Sequence, residues 1–307
     1  MLWLLFTILA VIFWTSTSII DKYAVDNIFP TEITYLAFIG ICSIFSIILV
    51  TLFNVSMWPS SIKVSIIALS LGGLYTVYTY FYLRALSIVD APIVLNMWLL
   101  VPFFSSLIGV AFFGEVIYPG MVVGGFLIIM GAILSSIKQD NQGNNGEYLS
   151  KIPIAIILML ISAILNSVDY SIQDYILNQI HPLTLFLWEQ TGELMSGLLL
   201  LIFILAKNNI KRRPREIVIK KISFAFIAEF LSMAAALFLM CAYSFGSLSA
   251  TTLILATQPT LTMFGIVAIN KARKNKIIRD SSLSLLKLRT VSLLLSLIGI
   301  SLLVYWK

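Results

Sequence analysis

Ten apolar runs, each close to twenty residues long, follow one another with only short polar stretches between them. They cover 2–20, 32–53, 64–84, 91–113, 117–137, 152–177, 183–206, 222–244, 248–269 and 288–306. A helix needs about 20 apolar residues to cross a bilayer. Because hydrocarbon offers no water to stray backbone groups, only helices and closed barrels can span it. Barrel strands alternate polar and apolar positions, whereas these runs are continuously apolar. The expected fold class is an all-α membrane protein of ten transmembrane helices. With 60% of its 307 residues hydrophobic and 11% charged, the chain has little left for a soluble domain. That argues against an anchored enzyme, a receptor with a folded ectodomain and a nucleic-acid binder, in spite of a net charge of +6. The basic excess reads as loop charge facing anionic headgroups. Expected partners are a small-molecule substrate and membrane lipids, with the chain a monomer or homodimer.

Cys42 and Cys241 sit inside apolar runs and show no disulfide or metal spacing. His181 reads as a turn residue beside Pro182. The first run has no basic residue before it and no small-residue cleavage site after it, so a retained span is expected and no signal peptide.

The stretch from Gln139 to Glu147 has the Asn/Gly composition of a flexible linker. It divides the chain into residues 1–138, a linker at 139–151, and residues 152–307. The two parts echo one another. Phe29-Pro30-Thr31 is matched by His181-Pro182-Leu183-Thr184. Arg84-Ala85-Leu86-Ser87 before Pro102 is matched by Cys241-Ala242-Tyr243-Ser244 before Pro259, with the same seventeen-residue step from alanine to proline. Five spans in each copy would invert the second copy in the membrane, the architecture of many secondary transporters. Pro102 and Pro259 each remove a helix hydrogen bond in mid-span and are expected as hinges beside a cavity. Gly120, Gly124 and Gly131 in the fifth run, with Ser292 and Ser296 in the tenth, read as close-packing positions.

The first half resembles the ten-helix, EamA-like branch of the drug/metabolite transporter superfamily. The resemblance rests on Phe13-Trp14-Thr15-Ser16-Thr17, on Tyr82-Leu83-Arg84-Ala85-Leu86-Ser87, on Pro102 followed by Phe113-Gly114-Glu115, and on Gly124 and Gly131. In the second copy the basic run Asn270-Lys271-Ala272-Arg273-Lys274 stands where Glu115 would recur. The resemblance implies a carrier for small metabolites whose site lies between two five-helix halves, at the cytoplasmic membrane.

Carboxylates inside apolar runs are costly, by about 2.5 kcal/mol or more on insertion scales, and are functional candidates by default. Asp169, Glu189, Glu193 and Glu229 are the expected proton-coupling acids. Glu189 and Glu193 share one helix face, where like charges in a low dielectric oppose each other, so the pair is expected to share a proton and exchange it for a cationic substrate group. The alternative is that these acids are protonated structural glue. Trp14, Tyr78, Tyr82, Asn96, Trp98, Asn166, Tyr170 and Gln258 are the expected substrate-binding residues, although an aromatic stripe can equally serve packing or an interfacial belt. Buried acids without a buried base disfavour anions, so the expected cargo is cationic, zwitterionic or polar-aromatic, such as an amino acid or amine.

Eighteen of the twenty basic residues fall on the side of the odd-numbered loops. The positive-inside rule therefore puts those loops in the cytoplasm and both termini outside, against the cytoplasmic termini that the resemblance implies. No nucleotide-binding loop, nucleophile elbow, zinc spacing or dinucleotide fingerprint occurs. No cofactor is expected, and transport would run on a gradient, expected to be one of protons. The competing classes are a channel or structural subunit and a lipid-processing membrane enzyme.

Overall fold

The computed structural model describes residues 2–52, 61–89, 91–113, 118–136, 146–177, 179–206, 215–245, 251, 254–255, 257–258, 261–262, 264–265, 268–269 and 286–306. Helices α1 (Leu2–Asn27), α2 (Glu32–Thr51) and α3 (Ile62–Ile88) come first. Next are α4 (Ala91–Met97), a 3₁₀ turn (Trp98–Leu100), α5 (Val101–Phe113) and α6 (Pro119–Ser136). The second half holds α7 (Gly146–Leu177), α8 (Pro182–Ala206), α9 (Arg215–Phe245), helical residues within 251–269, and α10 (Leu286–Tyr305). Seven described stretches are long and apolar enough to cross a membrane: α1, α2, α3, Val94–Phe112, Lys151–Leu177, α8 and Ile222–Phe245. Val122–Gly131 and Thr290–Leu302 are shorter apolar pieces. The chain is therefore a multi-pass helical membrane protein.

Three departures from the expected boundaries have physical causes. The first apolar run ends at residue 20, yet α1 continues to Asn27. Lys22 and Asp26 pair one turn apart at 3.4 Å, and the Lys22 ammonium donates to the Leu86 carbonyl at 2.6 Å and the Val89 carbonyl at 3.1 Å. A lysine expected in a loop is instead buried, bonding the carbonyls at the end of α3 that have no intrahelical donor. The expected linker at 139–151 is helical from Gly146 onward. The fourth run breaks at Trp98–Leu100. Pro102 has no N–H for the Trp98 carbonyl, and the Val101 N–H takes that acceptor in a 3₁₀ bond.

Helices pack across the halves: α1 on α9, α3 on α7 and on α8, α2 on α8, and α6 on α10. Lipid tails are as apolar as leucine, so close approach and hydrogen bonds must hold these pairs. Glycines supply the approach. A Cβ on Gly40 would lie 2.7 Å from Gly197 Cα, and one on Gly72 would lie 2.6 Å from the Glu193 nitrogen. The α6–α10 pair is antiparallel. Gly120 meets Trp306 and Leu302, Gly299 meets the Gly124 carbonyl, and the Ser292 hydroxyl donates to the Gly131 carbonyl at 2.6 Å.

Candidate functional site

A cavity of about 180 Å³ lies among α1, α3, the α4–α5 break, α7 and α9, with Ile39, Leu255 and Gln258 completing its wall. Each helix contributes from one face. On α1, Trp14, Thr17, Ser18 and Asp21 follow the i, i+3, i+4, i+7 spacing that lines one stripe. On α3, Tyr75, Tyr78, Thr79 and Tyr82 do the same. Trp98 enters from the 3₁₀ turn that Pro102 enforces.

The rings form a continuous aromatic surface. Tyr75 meets Tyr78 edge-on at 5.2 Å, Tyr78 meets Trp98 edge-on at 6.1 Å, and Tyr82 lies 5.6 Å from Trp98. Such faces carry negative quadrupole charge and attract cations.

Two carboxylates complete the wall, Asp21 from α1 and Glu229 from α9. Tyr35 of α2 joins them: its hydroxyl donates to Asp21 Oδ1 at 2.5 Å and lies 3.3 Å from Glu229 Oε1. A phenol has one proton to give and two lone pairs, so Tyr35 can hold a charged Asp21 while accepting from a protonated Glu229. Its ring is fixed by stacking on Phe29 at 4.6 Å. Tyr82 reaches Asp21 Oδ2 at 3.5 Å, and the Gln258 amide donates to Ser18 at 3.1 Å. Among the described wall residues there is no lysine or arginine.

Of the residues expected to bind substrate, Trp14, Tyr78, Tyr82, Trp98, Asn166, Tyr170 and Gln258 are in this wall; Asn96 is buried but is not part of it. Among the expected acids, Glu229 is in the wall. Asp169, Glu189 and Glu193 form a second nest outside it, in α7 and α8. Asp169 Oδ2 accepts from Gln173 at 3.1 Å and from Tyr78 at 3.4 Å, and Glu193 Oε2 accepts from Gln190 at 2.9 Å. Pro259 lies outside the described residues. Sequence reading missed Asp21 and Tyr35, because Asp21 falls one residue past the first apolar run. Its phase with Trp14 and Ser18 was the available signal.

If the two parts are the repeats expected from sequence, positions in the wall correspond at one of two numbering offsets. From Pro30 to Pro182 the numbering advances by 152, and the same step takes Trp14 to Asn166 and Ser18 to Tyr170. From Pro102 to Pro259 it advances by 157, and that step takes Tyr75 to Ser232, Trp98 to Leu255 and Val101 to Gln258.

Membrane-crossing helices thus surround a small cavity with aromatic and acidic walls. Residues 1–137 match the family model of the EamA-like transporter family, a match that suggests a membrane transporter of the drug/metabolite type. A solved crystal structure is 15% identical and covers 97% of this chain and 94% of its own, with a TM-score of 0.64; at that identity the likeness is one of fold. A comparison with curated protein sequences gives no match.

Proposed function

We propose that the protein is a secondary transporter for a small cationic, zwitterionic or polar-aromatic metabolite, amino-acid or amine-like, moved across the cytoplasmic membrane at the expense of a proton gradient. The observation that carries this reading is the wall: aromatic faces on α3 and the α4–α5 break opposite two carboxylates tied by Tyr35, with no cation among the described wall residues. An ammonium group would sit near Asp21 and Glu229, with its aromatic or apolar body against Trp14, Trp98 and Tyr78.

Two inverted five-helix repeats, residues 1–138 and 152–307, are the architecture we infer. The α1–α9 and α3–α7 pairings exchange with each other if α1 corresponds to α7 and α3 to α9. The last helices of the two halves, α6 and α10, run antiparallel. The paired wall positions support the same correspondence. Pro102, at a break in its span, and Pro259 would then be the hinges of alternating access.

Purified protein in liposomes, challenged with amino acids and amines under an imposed pH gradient, should show saturable uptake and counterflow. Flux linear in concentration without counterflow would make it a channel, and chemical turnover of the solute without a gradient would make it an enzyme.

A further inference from the structure

We propose that the nest of Asp169, Glu189 and Glu193 is a proton-binding site separate from the substrate cavity, and that Tyr78 is the side chain through which the two communicate. The proposal rests on the transporter reading above and assigns the proton and the cargo to different carboxylates.

The nest is closed. All three acids are buried and none is in the cavity wall. Glycine contacts pin this part of α8 against its neighbours: Gly72 abuts the Glu189 carbonyl, and Gly40 abuts the Glu193 carbonyl. Backbone therefore meets backbone along this part of the seam.

The nest also has acceptors without donors. Asp169 Oδ1, Glu189 Oε1 and Gln190 Oε1 are buried and have no hydrogen-bond partner. A buried acceptor left in this way calls for an occupant. The titratable and polar groups facing it are Cys42 and Ser43 from α2, Tyr75 and Tyr78 from α3, Tyr170 from α7 and Glu229 from α9. None of these is a cation. Three carboxylates cannot stay charged together in a buried seam without a counter-charge. The counter-charge we assign to the nest is a proton, held between the unpartnered carboxylate oxygens.

Tyr78 belongs to both sites. Its ring lies in the cavity wall, edge-on to Trp98, while its hydroxyl donates to Asp169 Oδ2 at 3.4 Å. A cargo pressed between Tyr78 and Trp98 displaces the ring, and with it a donor that favours charged Asp169. Proton and cargo thus influence one another through a tyrosine rather than by competing for a single acid, in contrast to the direct exchange at Glu189 and Glu193 expected from sequence.

The test is an infrared pH titration of the full-length protein in detergent, following the carbonyl stretch of protonated carboxyl groups, with tryptamine as an aromatic-amine probe and thermal melting as the binding readout. The parent should show a titrating carboxyl band. Asp169→Asn and Glu189→Gln should each diminish that band and retain the melting shift caused by tryptamine. Asp21→Asn should keep the band and lose the shift. Tyr78→Phe should keep the band and abolish the change tryptamine makes in it. A parent without the band, a band undiminished in both nest variants, or nest variants that lose tryptamine binding as the band falls would overturn the proposal. If the parent titrates as described and does not bind tryptamine, the amine reading of the cargo fails, and the proton site stands on its band.

Discussion

Tyr35 and Lys22 carry most of the structural consequence at the residue scale, and neither is conspicuous in the sequence. The hydroxyl of Tyr35 is the described group that touches both cavity acids. A hydrogen bond to a charged group is worth about 1.5–3 kcal/mol. Tyr35→Phe should therefore weaken binding of a cationic cargo by roughly tenfold or more, measured as the apparent affinity for amine uptake in liposomes, with little loss of folded protein. Lys22 differs, because it satisfies backbone rather than cargo. Lys22→Met removes the donor from the Leu86 and Val89 carbonyls and should cost about 1–3 kcal/mol of stability, seen as a lower melting temperature, while the affinity for cargo holds. The aromatic wall was legible because tyrosines at helical spacing mark a face. Asp21 was not, since a charge at the edge of an apolar run looks like the start of a loop until a buried tyrosine from another helix is seen to meet it.

Glycine and proline set the geometry of the elements. Gly72 and Gly192 lie where α3 and α8 touch backbone to backbone, and a Cβ on either would strike a carbonyl of the other helix. Gly192→Ala should destabilise the fold by roughly 1–3 kcal/mol or more, as overpacking does; a melting curve unchanged from the parent would mean that the seam yields. Pro102 acts on direction instead. Pro102→Ala restores an N–H for the Trp98 carbonyl and permits a continuous helix through 98–101, which should swing Trp98 out of the wall. The expected result is a folded protein with slower turnover in counterflow and weakened amine binding. The small residues of α6 and α10 were readable from sequence as packing positions, since their spacing places them on one stripe. The glycines facing α8 were not readable in that way, because each contributes singly and its partner is more than a hundred residues distant.

At the scale of the whole molecule, the principal helix pairs cross from one half to the other. Neither half can satisfy its polar stripe or fill its small-residue seams alone. Residues 1–141 and 142–307 expressed as separate chains should reconstitute uptake when made together, and each alone should be degraded; a stable isolated half would contradict the crossed packing. Orientation is a separate matter, governed by the loops. A reporter fused after Lys307 should report an extracytoplasmic C-terminus, following the bias of eighteen basic residues to one side, and cytoplasmic activity would show that another determinant overrides it. The proposed halves rest on matched prolines in the sequence, whereas the wall positions that this correspondence pairs differ between them. Trp14, Tyr75 and Trp98 of the first half stand at the positions of Asn166, Ser232 and Leu255 in the second. A chamber with identical sides would accept a guest and its end-for-end reversal equally well. On the repeat proposed above, this one is keyed: a cargo with a flat ring, a polar group and a charge should fit in a single sense, and its two mirror-image forms should differ in uptake. Preference for one hand of the cargo would then follow from the difference between the two proposed copies.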